Sequence, residues 1–281
     1  SSFSHTIFIF HTTPMMMYLK KMAWVSMLSY IAILFIFLQH EVNGNLYTAT
    51  IPTNESPATA LPFAINNTNL IHPDGTVLSC DSRGWILSGK RWFPVGGEIQ
   101  YGRVPKSQWR ESLLRIRAGG LDVISVYAFW IHHEEEKGTF NWSGRRNISA
   151  FLDIANELGL KVLLRMGPWD HGECRNGGHP DWVLNSCGHL RSTDPKYLAC
   201  VEGWYEALAQ QLLGQMWKDG GPIIAVQVDN ESRDWKYLLA LKMLAEKIGI
   251  YPPFFTKTGW PKPNPDYPAD YPMLPYYGGY P

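Results

Sequence analysis

Residues 220–232, GGPIIAVQVDNES, run apolar to their tip and there deliver Asp229, Asn230 and Glu231. A carboxyl group can give a proton to a departing oxygen and later take one from water, so a glutamate presented this way suits general acid/base work. The plain alternative is that Glu231 caps the helix that follows or pairs with an arginine such as Arg233. Comparable polar residues follow other strand-like runs: Glu98 and Tyr101, the stretch 127–134, and His171 with Glu173.

Other clusters are weaker. HHEEE at 132–136 puts His132 and His133 side by side, without the i, i+4 spacing of a zinc-binding helix, so solvated or loop residues are the expectation there. His171, Cys174, His179 and Cys187 are only loosely spaced for zinc. Neither a metal nor an organic cofactor is expected. Lys plus Arg and Asp plus Glu number 25 each, and this even balance gives no sign of a nucleic-acid partner or an acidic polymer. The 12 Trp, 14 Tyr and 12 Phe suit the faces of sugar rings as well as a large core.

The elements that must position these groups begin near Trp85. RWFPVGGEIQ reads as a strand, SQWRESLLRIRAGG as a helix from near Ser107 to the Gly119-Gly120 pair, and LDVISVYAFW as a strand. NISAFLDIANELG is a helix and KVLLRM a strand. After a long loop comes a helix with Asp194 as N-cap, Pro195 in its first turn and Leu198, Val201, Tyr205, Leu208 and Leu212 on one face. GPIIAVQV is a fourth strand, followed by a helix burying Tyr237, Leu238, Leu241, Leu244, Ala245 and Ile248. PFFTKTG is a fifth strand and MLPYYGGY begins a sixth. Alternation of this kind implies right-handed βαβ units and a parallel sheet. The glycines at 96 and 97 do not fit a nucleotide-binding fingerprint, and polar groups follow several different strands. The expected fold is therefore α/β, a (β/α)8 TIM-type barrel.

The N-terminal part reads as an address. Lys20 and Lys21 precede an uncharged apolar run over 22–38, and Val42-Asn43-Gly44 is spaced like a cleavage site. Residues 1–44 are taken as an extension plus signal peptide, with a signal anchor as the alternative. Residues 45–84, rich in Thr, Asn, Pro and Ser, are taken as leader and linker, and 85–281 as the catalytic domain. Entry into the secretory pathway follows, with extracellular space, cell wall or vacuole as destinations. Glycosylation acceptors at Asn54, Asn66, Asn141 and Asn147 agree with it. In that setting a disulfide from Cys174 or Cys187, with Cys200 as partner, is expected in preference to metal ligation.

From about residue 89 to 281 the chain resembles glycoside hydrolase family 35, the β-galactosidases. GGPIIAVQVDNES resembles that family's acid/base block at the end of the fourth barrel strand. GEIQYGRVP, VYAFWIHHEEEKGTFNWSG, RMGPWDHGECRNGGHPDW and LRSTDPKYL are similar to its other blocks, in order and spacing. The resemblance implies Glu231 as general acid/base, Asn230 on the sugar's 2-hydroxyl, and Tyr127, Glu173 and His171 as contacts to a terminal galactose. It implies a retaining, exo-acting hydrolase of β-galactosides, in which two carboxyl groups act in turn. Three positions depart from the family: Ile131, Asp170 and Ser232 stand where Asn, an apolar residue or Cys, and Tyr are usual. These departures bear on linkage preference more than on reaction class.

The family's nucleophile is a glutamate at the end of the seventh strand, and TKTGWPKPNPDYPADYPMLPYYGGYP contains none. Residues 85–281 also fall short of the ~250 of a whole barrel. The barrel is thus expected to be truncated after about five to six βα units, with the nucleophile beyond Pro281 and the fragment alone inactive. Two other readings stand beside this one: a non-catalytic galactoside-binding protein, and a different β-glycosidase of the same barrel clan.

Overall fold

The computed structural model describes residues 70–81, 84–257 and 274–276. The chain divides into the units Ser1–Ser56 and Pro57–Pro281. The first unit lies outside the described residues, as do the signal-like run, most of the linker, Asn54 and Asn66.

Nine strands form two sheets among the described residues. Strands β1 (Leu78–Asp81), β2 (Gly84–Leu87) and β3 (Lys90–Arg91) make a small antiparallel sheet. Strands β4 (Gly96–Glu98), β5 (Val123–Tyr127), β6 (Lys161–Arg165), β7 (Ile223–Gln227), β8 (Phe254–Lys257) and β9 (Leu274–Tyr276) make the main sheet. Every pair in the main sheet is parallel, and the spatial order is the chain order. A doubly wound sheet reverses its strand order at a switch point, whereas uninterrupted order is the winding of a barrel. The domain is α/β of TIM-barrel type, and β7 is the fourth strand of that winding.

Among the described residues the α-helices are α1 (Trp109–Ala118), α2 (Trp130–His133), α3 (Ile148–Glu157), α4 (Asp181–Ser186), α5 (Pro195–Gln211) and α6 (Trp235–Lys247). Short acceptor side chains start the longer ones where backbone N–H groups lack helical partners. Asn147 Oδ1 accepts from Ala150 N, Asp194 Oδ1 from Lys196 N, and Asp234 Oδ1 from Lys236 N and Tyr237 N. Asp234 thus fills the cap that Glu231 was alternatively expected to provide.

Strand composition follows burial. β7 is buried along its whole length, which explains its lack of alternation. In β5, Ile124 and Val126 join the main core while Val123, Ser125 and Tyr127 line a cleft inside the barrel. That core also takes Trp109, Trp130, Trp204 and Tyr205, so much of the aromatic content is structural.

Three expectations need correction. The domain begins before residue 85: β1 lies in the presumed linker, and Leu78 packs with Trp217 and Ile224, joined by Trp85, Leu87 and Trp92. RWFPVGGEIQ is not one strand but the separate β3 and β4, because Pro94 has no N–H to donate to a ladder. His133 and Glu134 are buried rather than solvated. Glu134 accepts from Trp130 Nε1 at 2.6 Å and from Gly138 N at 2.7 Å, which satisfies its carboxylate inside the fold.

Candidate active site

The C-terminal ends of the first four barrel strands each contribute a polar side chain: Glu98 from β4, Tyr127 from β5, Arg165 from β6 and Gln227 from β7. They line a cleft of about 1360 Å³ together with His171, Glu173, Asn230 and Glu231. All five site residues expected from sequence, Glu231, Asn230, Glu173, Tyr127 and His171, therefore meet in one place.

Asn230 is held on three sides. Its Oδ1 accepts from Arg165 Nη2 at 2.8 Å and from Gln227 Nε2 at 2.9 Å. Its Nδ2 lies 2.7 Å from His171 Nδ1. Two donors on the oxygen fix which way the amide points, and only one Nδ2 hydrogen is needed for His171. The other can donate to a ligand hydroxyl. Because His171 accepts at Nδ1, neutral imidazole carries its proton on Nε2. The same Nδ1 stands 3.6 Å from Glu231 Oε2.

Arg165 links three strand ends. It donates to Glu98 Oε2 at 3.2 Å as well as to Asn230, and its guanidinium carbon lies 3.8 Å from the Tyr127 ring centroid. Tyr127 stacks in turn on Phe129, with centroids 4.9 Å apart and planes 7° from parallel. Burial pushes the Tyr127 phenol above its ordinary value, so it enters the site as a neutral hydroxyl.

Behind the cleft, Asp229 is buried and tied to Arg191 Nη2 at 2.6 Å, to Tyr237 OH at 2.9 Å and to Asn230 N at 2.8 Å. Arg191 also donates to the Asn230 carbonyl at 2.8 Å. Burial raises the Asp229 carboxyl above its ordinary value, against the pull of Arg191. Asp170, where the family resemblance places an apolar residue or Cys, is also buried, and desolvation raises its carboxyl well above the usual range. A neutral acid is compatible with such a position. Tyr101 is scaffold: it is buried with its hydroxyl 2.6 Å from His133 Nε2.

Backbone strain independently marks the same place. Of seven non-glycine residues with positive φ among those described, six lie in or beside the cleft: His171, Glu173, Asn176, Arg191, Asp229 and Glu231. Such conformations cost about 1–3 kcal/mol each and persist where the surroundings enforce them, commonly at functional sites. Between His171 and Glu173, Gly172 has φ +53°, and an added Cβ would meet Phe129 Cζ at 2.6 Å. Glycine therefore lets this loop lie against the aromatic floor.

Sequence reasoning missed Arg165 and Gln227. The available signal was positional, since each is the polar last residue of a largely apolar strand. Among the described residues, no group of three or more His, Cys, Asp or Glu is placed to hold a metal ion.

The sequence profile of Glycosyl hydrolases family 35 matches residues 85–272, and the chain belongs to that family. A β-galactosidase of Bos taurus is 38% identical over 182 residues, covering 62% of this chain and 28% of that protein. Beta-galactosidase-1-like protein 2 of Homo sapiens is also 38% identical, over 180 residues, with the same two coverages. An exo-beta-D-glucosaminidase of Thermococcus kodakarensis is 34% identical over 174 residues, covering 54% of this chain and 22% of that one. The chain thus spans under a third of the length of these relatives. Among solved structures, a β-galactosidase from the psychrophilic Marinomonas ef1 aligns with TM-score 0.39 and 21% identity, over 50% of this chain and 22% of that one. The barrel assignment rests on strand order and not on that alignment.

Proposed function

We propose that this chain is the front part of a retaining, exo-acting β-galactosidase, with Glu231 as general acid/base. The observation that carries the reading is the convergence of Glu231, Asn230, Glu173, Tyr127 and His171 on one cleft at the strand ends. Hydrolysis of a galactoside needs a proton for the departing oxygen, which Glu231 supplies, and a carboxylate to attack the anomeric carbon. Asn230 offers one N–H to a sugar hydroxyl, while Tyr127 and Glu173 read further hydroxyls. Glu246 is the last glutamate in the sequence and sits on α6, so in this reading the nucleophile comes from beyond Pro281 and residues 1–281 alone do not turn over substrate. The signal-like run over 22–38 sends the protein into the secretory pathway, which N-terminal sequencing of the mature protein would test.

Glu231→Gln, made in the protein with its whole catalytic domain, tests the assignment. Hydrolysis of galactosides with poor leaving groups falls by orders of magnitude, and activated aryl galactosides lose far less because their departure needs little protonation. Equal losses on both substrate types would exclude Glu231 as the acid.

A further inference from the structure

Four buried side chains from four elements form a chain of hydrogen bonds behind the cleft. His179, in the loop that carries Glu173, has Nδ1 3.3 Å from the Asn176 carbonyl oxygen and Nε2 2.8 Å from Tyr197 OH. Tyr197, on α5, has its hydroxyl 3.2 Å from that of Tyr237, on α6. Tyr237 donates to Asp229 Oδ2 at 2.9 Å, at the tip of β7. All four are at most 1% exposed.

Counting protons along this chain gives an imbalance. Between the Asn176 carbonyl and the Asp229 carboxylate there are four links, and both end groups only accept. Neutral His179, Tyr197 and Tyr237 supply one proton each, so three protons serve four links. With Tyr237 donating to Asp229, one link must be empty: at the Asn176 carbonyl, between His179 and Tyr197, or between the two tyrosines. A fourth proton completes every link: Nδ1–H to Asn176, Nε2–H to Tyr197, Tyr197 O–H to Tyr237, and Tyr237 O–H to Asp229. Shifting that proton along the wire leaves neutral His179 and a protonated Asp229, again with every link filled and no change in proton number.

We propose that His179, Tyr197, Tyr237 and Asp229 form a one-proton relay that positions the Glu173 loop against the strand tip bearing Asn230 and Glu231. Uptake of a single proton, shared between His179 and Asp229, locks the two together. The functional half of this inference rests on the galactoside site described above.

The electrostatics at the two ends agree with sharing. Burial pushes His179 down to about 4, while burial raises the Asp229 carboxyl, so the proton affinities of the ends approach one another. The other charged or titratable groups acting on the wire are Arg191, which pairs with Asp229 and disfavours a charged His179, together with Asp170 and Tyr205. Arg191 favours the three-proton state, so the fourth proton is taken up on the acid side of neutrality.

The test is an NMR titration of the protein with its whole catalytic domain, following the His179 ring nitrogens and the Asp229 carboxyl carbon, beside galactose titrations of the same protein. In the wild type both resonances move with one shared midpoint and a total uptake of one proton. In Tyr197→Phe, which keeps the ring and cuts the wire, the two groups titrate separately. Galactose affinity in the variant then loses roughly two- to tenfold at pH 5 and little at pH 7, the worth of a hydrogen bond present only in the proton-loaded state. Independent midpoints in the wild type would overturn the relay, even if Tyr197→Phe failed to fold. Equal affinity losses at both pH values would overturn the positioning role. A wild type with a shared midpoint but no galactose binding would instead overturn the galactoside reading and the positioning role built on it, leaving the shared proton standing.

Discussion

The guanidinium carbon of Arg165 stands 3.8 Å from the centroid of the Tyr127 ring, while the same group donates to Asn230 Oδ1 at 2.8 Å. One side chain therefore sets the height of a phenol and the orientation of an amide across three strand ends. Lysine cannot do this, because it has neither the planar fork nor the stacking face. Arg165→Lys is expected to weaken galactose binding by about tenfold or more, the worth of a charged hydrogen bond. Isothermal titration would show it, and an unchanged Kd would mean that the Asn230 amide is held without Arg165.

His171 combines an acceptor for Asn230 with a backbone in the left-handed region, at φ 56°. Asn tolerates that backbone and offers an acceptor, whereas a β-branched residue does neither. His171→Asn should bind galactose within a few-fold of wild type, and His171→Val should lose both affinity and stability. Paired thermal melts and galactose titrations separate the two effects. Equal behaviour of the two variants would remove His171 from the account of Asn230.

Much of this architecture was legible in the sequence because local signals and tertiary role agree. Asp194-Pro195 announces α5 by cap chemistry alone, and the apolar length of β7 follows from burial on both faces. The fates of Leu78 and His133 were not legible. Leu78 sits in a four-residue strand beside a Thr- and Pro-rich segment, and only packing against Trp217 and Ile224, far along the chain, gives it a core position. His133 looks solvated within HHEEE, yet its Nε2 meets Tyr101 OH and its Nδ1 the Asn141 carbonyl, partners that spacing does not reveal. Arg165 escaped notice for a related reason: an arginine ending a strand acquires meaning only when neighbouring strand ends are known.

His133 and His179 share a design, with Nδ1 on a backbone carbonyl and Nε2 on a tyrosine hydroxyl. Burial pushes His133 down to about 3 and His179 to about 4. The unfolded chain binds these protons near the ordinary histidine value of about 6.5, so over this window it holds more protons than the native state. Their contribution is complete above about pH 6.5 and is lost as pH falls toward the folded values. Asp170 and Asp229, raised by burial, work in the opposite direction, so a single variant is the cleaner probe. Unfolding free energies from urea melts between pH 7 and pH 4 should show a pH slope smaller by up to about 1.4 kcal/mol per unit in His133→Gln than in wild type. Identical slopes would mean that His133 titrates the same way in both states.

Of the two disulfides the sequence left open, the structure forms Cys187–Cys200, and Cys174 is a free thiol. The bridge joins the C-terminal cap of α4 to α5 across a separation of 13 residues. The enclosed loop holds Arg191, which fastens Asp229 and the Asn230 carbonyl, and Asp194, which caps α5. Closing a loop of this length stabilises by roughly 3 kcal/mol in the chain-entropy account. Replacing both cysteines by alanine should therefore lower Tm by about 6–12 °C for a domain of this size. Because the loosened loop carries Arg191, galactose affinity should fall in the same variant, while Cys174→Ser leaves Tm nearly unchanged. A melt that shifts with Cys174→Ser and not with the double alanine variant would assign the stabilising thiol to Cys174 instead.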